Sequence, residues 1–526
     1  MILTHSIYQV IMGETRISFL WILVICQFTG LTALGQSEGN TEEELISEFR
    51  RVVTPETLYN YVEILSADEY EGRLTGHQGY DKSARWVSEK FSSWGVKPMG
   101  EDEDYLQYFP HPYTEVFPGC ELIMHPGQTK EEQNKEYEYV EDFIPGSTSG
   151  NGEITAEVIY VGYGITAPEL GYDDYAGLDV TGKIVCFERE VPVSTSHADF
   201  LKWRPYSFHQ YKLMNAVKHD AAGMLYNYHI ANPNNAYAEG FVYSCIGETV
   251  MEDIFYKTGN KPQKTVRKIG KKLKPHSFNT GKTITIRNNT QHHPEGIGSN
   301  VIGYIEGSDT ALNDEYILIG GHLDHLGKCY TVMPGAHDNA SAVSVTLGLA
   351  EALSKSGINL KRSVVFIFFG AEEAALKGVQ HFLKNPATPS LDNIKGYMNM
   401  DGVGIGDKIQ VSFAGNYPSF YAYLEQANTN GPDLALSGKS TSNISRPRLD
   451  AAFFDWYGIP VLSIYSHGDP EAFSNYRYHT PYDNIGNINP DIMADLAELL
   501  FISIINMANE NQLDFKRGDI QEEFIK

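Results

Sequence analysis

From Asn300 onward the chain repeats one pattern: a short, nearly unbroken apolar run, a helical periodicity, then another apolar run. The runs are EYILIGGH, SVVFIFFG, GYMNMD and GIPVLSIY. Helical patterns fall at about 340–356, from near Glu373, at about 417–428, and in DIMADLAELLFISIINMAN. A strand that does not alternate polar and apolar residues must be covered on both faces, and strands joined through helices pair in parallel. The pattern therefore predicts an α/β fold: a mostly parallel central sheet flanked by helices in three layers.

The texture upstream is different. Residues 40–110 carry helical patterning, as in TPETLYNYVEILSADE and YDKSARWVSEKFSSWGV. Between about 120 and 295, β-rich segments such as AEVIYVGYGI and GKIVCFERE alternate with Gly-, Pro- and Asn-containing loops. The expected organisation is a catalytic domain in two parts, 36–119 and 296–526, with a β-rich domain inserted over 120–295. The basic run TVRKIGKKLKPHSFNTGKT inside the insert reads as a solvated face.

Composition narrows the class of partner. The chain of 526 residues holds 41 Lys and Arg against 67 Asp and Glu, a net charge of −26. That balance repels nucleic-acid phosphate and excludes DNA or RNA as the expected ligand. At the N-terminus Arg16 precedes the apolar run ISFLWILVICQFTGLTAL, and Ala33-Leu34-Gly35 offers small residues for cleavage, so residues 1–35 read as a signal peptide. The mature protein is then expected to be secreted or periplasmic, without a membrane anchor. Cleavage leaves Cys120, Cys186, Cys245 and Cys329, too few for a disulfide framework in so long a chain. Cys186 reads as core; pairing among the other three is left open. Sequon-like triplets begin at Asn288, Asn339 and Asn443.

In open α/β sheets ligands collect at the carboxyl ends of the strands. EYILIGGH ends at His322, with Asp324 two residues on; SVVFIFFG ends at Glu372 and Glu373; GYMNMD ends at Asp401. The loop PGAHDNAS places Asp338 before a helix, and YRYHTPYDN holds His479. Any one of these has an ordinary explanation as a turn, cap or surface residue. Together they form a dense group of carboxylates and imidazoles at one sheet edge, which requires a cationic partner. Imidazole plus carboxylate suits zinc, with Mn or Co as substitutes. The ligand count exceeds one tetrahedral site, so two ions are expected. In HLD, positions two apart face one side, so Asp324 is expected to orient His322. Of the adjacent pair Glu372 and Glu373, one can bind metal while the other moves protons.

HLDHLG, PGAHDNAS, AEEAALKG, MNMD and YHTPYDN, in this order, resemble the co-catalytic zinc aminopeptidase family, which includes secreted bacterial leucyl aminopeptidases and glutamate carboxypeptidase. SADEYEGRLTGHQGYDKSARWVSEKFSSWGVKP resembles the N-terminal piece of that catalytic domain. VIYVGYGITAPELGYDDYAGLDVTGKIVCFERE is similar to the protease-associated domain often inserted there. The resemblance implies two zinc ions bridged by Asp338, with His322 and Asp401 at one and Glu373 and His479 at the other. It implies that Glu372 is the base and then the acid, working on a water between the ions. Tyr478 matches an oxyanion-stabilising tyrosine of some relatives, and the Asp338–Asn339 peptide bond is expected to be cis.

Several positions depart from the family pattern. His337 stands where many relatives have Asp, and is expected to be a supporting or an exposed histidine rather than a metal ligand. Ala342 replaces a usual Gly. Arg448, Leu449 and Asp450 stand where relatives commonly show Ser-Asp-His, in a segment that walls the pocket. His325 reads equally as a pocket or a loop residue. The resemblance implies peptide substrates with a free N-terminus. The alternatives in the same family are a glutaminyl-peptide cyclase, a carboxypeptidase and a non-catalytic receptor-like ectodomain.

Overall fold

Apolar runs without alternation find cover on both sides. The structure, a computed structural model, describes residues 42–126, 133–442 and 444–525; the expected signal peptide lies outside them. Strands β1 (Tyr316–His322), β2 (Ser363–Phe369), β3 (Ile394–Met400) and β4 (Val461–His467) lie side by side in the order β2-β1-β3-β4, all parallel. Consecutive residues of a strand point to opposite faces, and β2 uses both. Phe366 and Phe368 meet Phe91 of the helix Gln78–Trp94. Phe369 meets Phe382 of the helix Lys377–Lys384 and Phe454 of the helix Asp450–Trp456. The helices Ser341–Lys355 and Pro490–Asn509 pack together and also against the sheet. Among the described residues no helix is long and apolar enough to cross a membrane.

The parallel arrangement holds at the centre and gives way at the edges. Ile297–Ile305 runs antiparallel to β2 and receives Leu106–Pro110 and Lys97–Pro98, also antiparallel. On the other side Lys408–Ser412 lies antiparallel to β4. The loop from Met400 to Lys408 is too short for a crossover helix, so the chain has to turn back.

Strands between Glu121 and Asn288 build a separate eight-stranded sheet. Its middle strands, Gly152–Tyr160, Ile184–Glu188, Gly223–Asn227 and Val242–Ile246, are parallel, and helices His209–Lys218, Glu248–Phe255 and Pro262–Lys272 accompany them. This region is therefore α/β in its own right. The basic run is the helix Pro262–Lys272, which buries Thr265 and Ile269 and leaves its lysines in solvent, followed by a strand. One apolar cluster of this layer takes in Leu326, Cys329 and Met333 from the segment after β1, so the two sheets share packing. Cys120, Cys186, Cys245 and Cys329 are all buried and free. Asn288 and Asn339 are buried with their amides engaged, Asn288 to Ser149 and the Tyr243 carbonyl and Asn339 to the Met400 carbonyl, so neither is open to glycosylation. Asn443 lies outside the described residues.

Candidate metal centre

Each expected site residue arrives from the end of a central strand or from a loop pinned beside it. His322 is the last residue of β1. Its Nδ1–H donates to the Asp324 carbonyl at 3.0 Å, which leaves Nε2 with its lone pair facing Asp338 Oδ1 at 3.2 Å and Asp401 Oδ1 at 3.6 Å. His479 is fixed the same way: Nδ1–H donates to the Ala231 carbonyl at 2.9 Å, and Nε2 faces Asp338 Oδ2 at 3.3 Å and Glu373 Oε2 at 3.0 Å. Asp338 thus turns one oxygen to each imidazole. The backbone N–H groups of His337 and Asp338 donate to Asp483 at 2.8 and 3.0 Å. Asn339 binds the Met400 carbonyl and accepts from the Gly402 N–H, tying this turn to the Asp401 loop. The Asp338–Asn339 peptide bond is cis.

The expected pairing of Asp324 with His322 is corrected. The Asp324 carboxylate stands 3.7 Å from His322 Nδ1 and instead accepts from the N–H groups of Glu372, at 3.1 Å, and Glu373, at 3.4 Å. The main-chain carbonyl of Asp324 orients the imidazole, while its side chain shapes the turn that carries both glutamates. That turn also delays the helix expected from Glu373. Ala371, Ala375 and Leu376 take left-handed φ values, and the helix begins only at Lys377. Glu373 is buried, with Oε1 2.9 Å from His325 Nδ1. Glu372 is half-buried on the cavity wall, and its carboxylate accepts no hydrogen bond from the described residues.

The electrostatics call for a cation. Burial pushes the Glu372 carboxyl well above its ordinary range; His322 opposes this, while Glu373, Asp450 and Asp401 add to it. Asp450, fully buried, is raised for the same reason, and its Oδ1 has no partner among the described residues. Burial also disfavours the Asp338 charge, but the close imidazoles of His322 and His479 hold it well below the usual carboxylate range. The Nε2 atoms of His479 and His325 are buried without a hydrogen-bond partner among the described residues. A buried, unpaired imidazole nitrogen beside crowded carboxylates is costly unless an ion binds there. Two groups of donors close enough for one ion each share Asp338: His322, Asp338 and Asp401, and His325, Asp338 and Glu373. With no thiolate and only imidazole and carboxylate donors, the set fits two ions of the zinc, manganese or cobalt type.

Several residues that hold the centre carry no signal in the sequence. Arg73 is fully buried and donates to the carbonyls of Leu65, Leu323, Pro334 and Gly335. Burial pushes its guanidinium down to about 10, against the pull of Asp483, Asp324, Asp338 and Glu373. Ala231, which fixes His479, comes from the second sheet's layer. His337 is buried rather than exposed. Its Nδ1 accepts from the Gly404 N–H at 3.1 Å, its ring meets Phe473 and Tyr476 edge-on, and burial pulls it down to about 4.

A cavity of about 480 Å³ opens onto this cluster. Asp338, Glu372, Glu373, Asp401 and His479 line it, together with residues of the second sheet's layer and Arg446–Leu449. Tyr478 stands on the wall, its ring 3.7 Å from and nearly parallel to the His479 imidazole.

Fold and cluster together define an α/β protein whose strand ends gather candidate metal ligands. Residues 300–503 match the model of Peptidase family M28. Human endoplasmic reticulum metallopeptidase 1 is 27% identical over 220 residues, which are 41% of this chain and 23% of that protein. The chain therefore spans less than a quarter of that relative. Among solved structures, the aminopeptidase from Aneurinibacillus sp. strain AM-1 superposes with a TM-score of 0.60 at 20% identity, over 90% of this chain and 98% of that one. BSAP, a zinc aminopeptidase from Bacillus subtilis, gives 0.58 at 18% identity, over 89% and 98%. At these identities the likeness is one of fold.

Proposed function

We propose that the chain is a secreted, zinc-dependent aminopeptidase that releases N-terminal residues from peptides. One observation carries the reading: the Asp338 carboxylate offers Oδ1 to the His322 set at 3.2 Å and Oδ2 to the His479 set at 3.3 Å. That is the arrangement a bridging ligand requires. His322 and Asp401 would hold one ion, Glu373 and His479 the other, and Asp338 both. Bound zinc supplies Lewis acidity, polarising a carbonyl and making water easier to deprotonate.

The chain's own groups account for the remaining chemistry. Glu372 lines the cavity unencumbered, and its raised proton affinity suits a group that takes a proton from water and returns it to the departing amine. A substrate's free α-ammonium is drawn to the end where Glu372, Glu373 and Asp401 converge. Tyr478, on the same wall, is placed to donate to a developing oxyanion. The layer over 120–295 corresponds in this reading to an inserted protease-associated domain, and residues 1–35 to a signal peptide that directs export.

The test is mass spectrometry of a defined peptide mixture incubated with zinc-loaded protein recovered from the medium, with Glu372→Gln as the blank. Stepwise loss from N-termini is expected, falling by about 10²–10⁴-fold in the variant. The same instrument reads whether the exported chain begins at Gln36. Loss from C-termini, or of ammonia from N-terminal glutamine, would replace the aminopeptidase by a carboxypeptidase or a cyclase. Full activity in the variant would remove Glu372 from its role.

A further inference from the structure

The lining of the cavity also carries positive charge. Arg446 is held there with its side chain only 11% exposed. Its guanidinium sits 2.5 Å from His209 Nε2 and 2.5 Å from Glu190 Oε1, both residues of the second sheet's layer. His209 passes its other nitrogen to the Tyr226 hydroxyl at 2.5 Å, and burial, reinforced by Arg446, keeps it neutral. It therefore accepts from Arg446 without offsetting the charge. Glu190 is the one carboxylate in contact, and it is shared with Arg448, 3.4 Å away and 70% exposed. Arg189 lies over the Tyr228 ring close by. Glu188, buried nearby, is occupied by Tyr160 and Asn227. Two guanidinium groups thus share one carboxylate in a chain whose net charge is −26.

Two of the five N–H donors of Arg446 are engaged, and the other three have no partner among the described residues. Arg448 borders both the main cavity and a neighbouring groove of about 410 Å³ lined by Arg189, Glu190 and residues 191–195. The cavity lining therefore carries both signs, Glu372, Glu373 and Asp401 on the one hand and Arg446 and Arg448 on the other. Its 480 Å³ lies within the ~300–1,000 Å³ of small-ligand sites. A guanidinium presents paired donors that match a carboxylate.

We propose that Arg446 and Arg448, buttressed by His209 and Glu190, form a carboxylate-binding subsite that selects substrates carrying a free carboxylate a short distance from the α-amine. This deepens the aminopeptidase reading and rests on it for the identity of the amine end. The carboxylate has two sources, the C-terminus of a very short peptide or an acidic side chain next to the N-terminal residue. In either case the inserted layer sets specificity, because His209 and Glu190 belong to it.

Calorimetry on zinc-loaded Glu372→Gln protein tests this without turnover, using Leu-Gly, Leu-Gly-Gly and their C-terminal amides, and the amides of Leu-Asp and Leu-Asn. At least one carboxylate-bearing peptide is expected to bind roughly 10–100-fold more tightly than its neutral counterpart. Adding Arg448→Gln or Arg446→Gln should shrink that ratio. A free-acid advantage that fades with length assigns the C-terminus; an advantage of Leu-Asp amide over Leu-Asn amide assigns the side chain. Equal binding in every pair, or a ratio untouched by either arginine variant, overturns the subsite. Selective binding alongside a wild-type chain that cleaves no peptide would reject the reaction and keep the subsite.

Discussion

Asp338 divides its two oxygens between two imidazoles, and a third, His325, competes for the same corner. Hydrogen bonds give His325 and His479 different partners for Nδ1. The Nδ1–H of His479 goes to a main-chain carbonyl, so Nε2 is free to ligate; His325 uses Nδ1 on Glu373 Oε1, the carboxylate oxygen that His479 does not face. In the proposed reading His479 is the ligand, and His325, whose own Nε2 is also unpaired among the described residues, aims Glu373. Metal analysis after dialysis against buffered zinc should find one ion per chain in His479→Ala. His325→Ala should keep two, with the affinity of one site about 10–100-fold weaker. The reverse pattern would make His325 the ligand. The motif residues themselves were legible because each follows an apolar run or sits in a short polar loop between elements. The choice between these histidines was not, since it turns on Ala231, 248 residues from His479.

At the scale of elements, the centre depends on loops that are rigid without being regular. Residues 71–73 all take left-handed φ values. Gly72 has to be glycine, because a Cβ there would lie 2.2 Å from the Gly327 carbonyl oxygen. The turn delivers Arg73 to three carbonyls of the segments after β1 and before Asp338, and to that of Leu65. Truncating a buried guanidinium strands these acceptors, and each unsatisfied one costs about 1–3 kcal/mol. Arg73→Met should therefore lose about 3 kcal/mol or more in denaturant unfolding of the zinc-free protein, with Arg73→Lys recovering part. A loss under about 1 kcal/mol would mean that solvent replaces those bonds. In EGRLTG the sequence shows only a turn, because the partners of Arg73 lie up to 262 residues away. The parallel centre was readable from its apolar runs. The antiparallel edges were not, since loop length rather than strand composition sets them.

For the whole molecule, the second sheet is bound to the first by shared apolar packing and by the loop of His479, where Arg477 and Tyr482 both meet Glu141. Loosening that layer therefore bears on the folded state as a whole. Its interior holds Lys212, fully buried, donating to the Tyr163 carbonyl beneath the wall formed by His209 and Glu190. Burial pulls this amine down to about 7, with Asp174, Glu190 and Glu188 pulling up and Arg446 down. Burial likewise raises Asp174 to about 7. Because the folded value of Lys212 lies below the ~10.4 of an unfolded lysine, the unfolded chain holds more protons between those limits, and stability rises with pH there. Asp174 acts in the opposite sense from about 3.9 up to its folded value, where the folded chain holds the extra proton. The pair thus contributes least near neutral pH and gains above it. Lys212→Met leaves Asp174 its bonds from Tyr172 and the N–H groups of Tyr163 and Ile165, so no charge is orphaned. Unfolding at pH 7 and pH 9 should show about 2 kcal/mol of gain from this group in the parent chain and none in the variant. Equal gains in the two chains would place the lysine's titration outside the folding equilibrium.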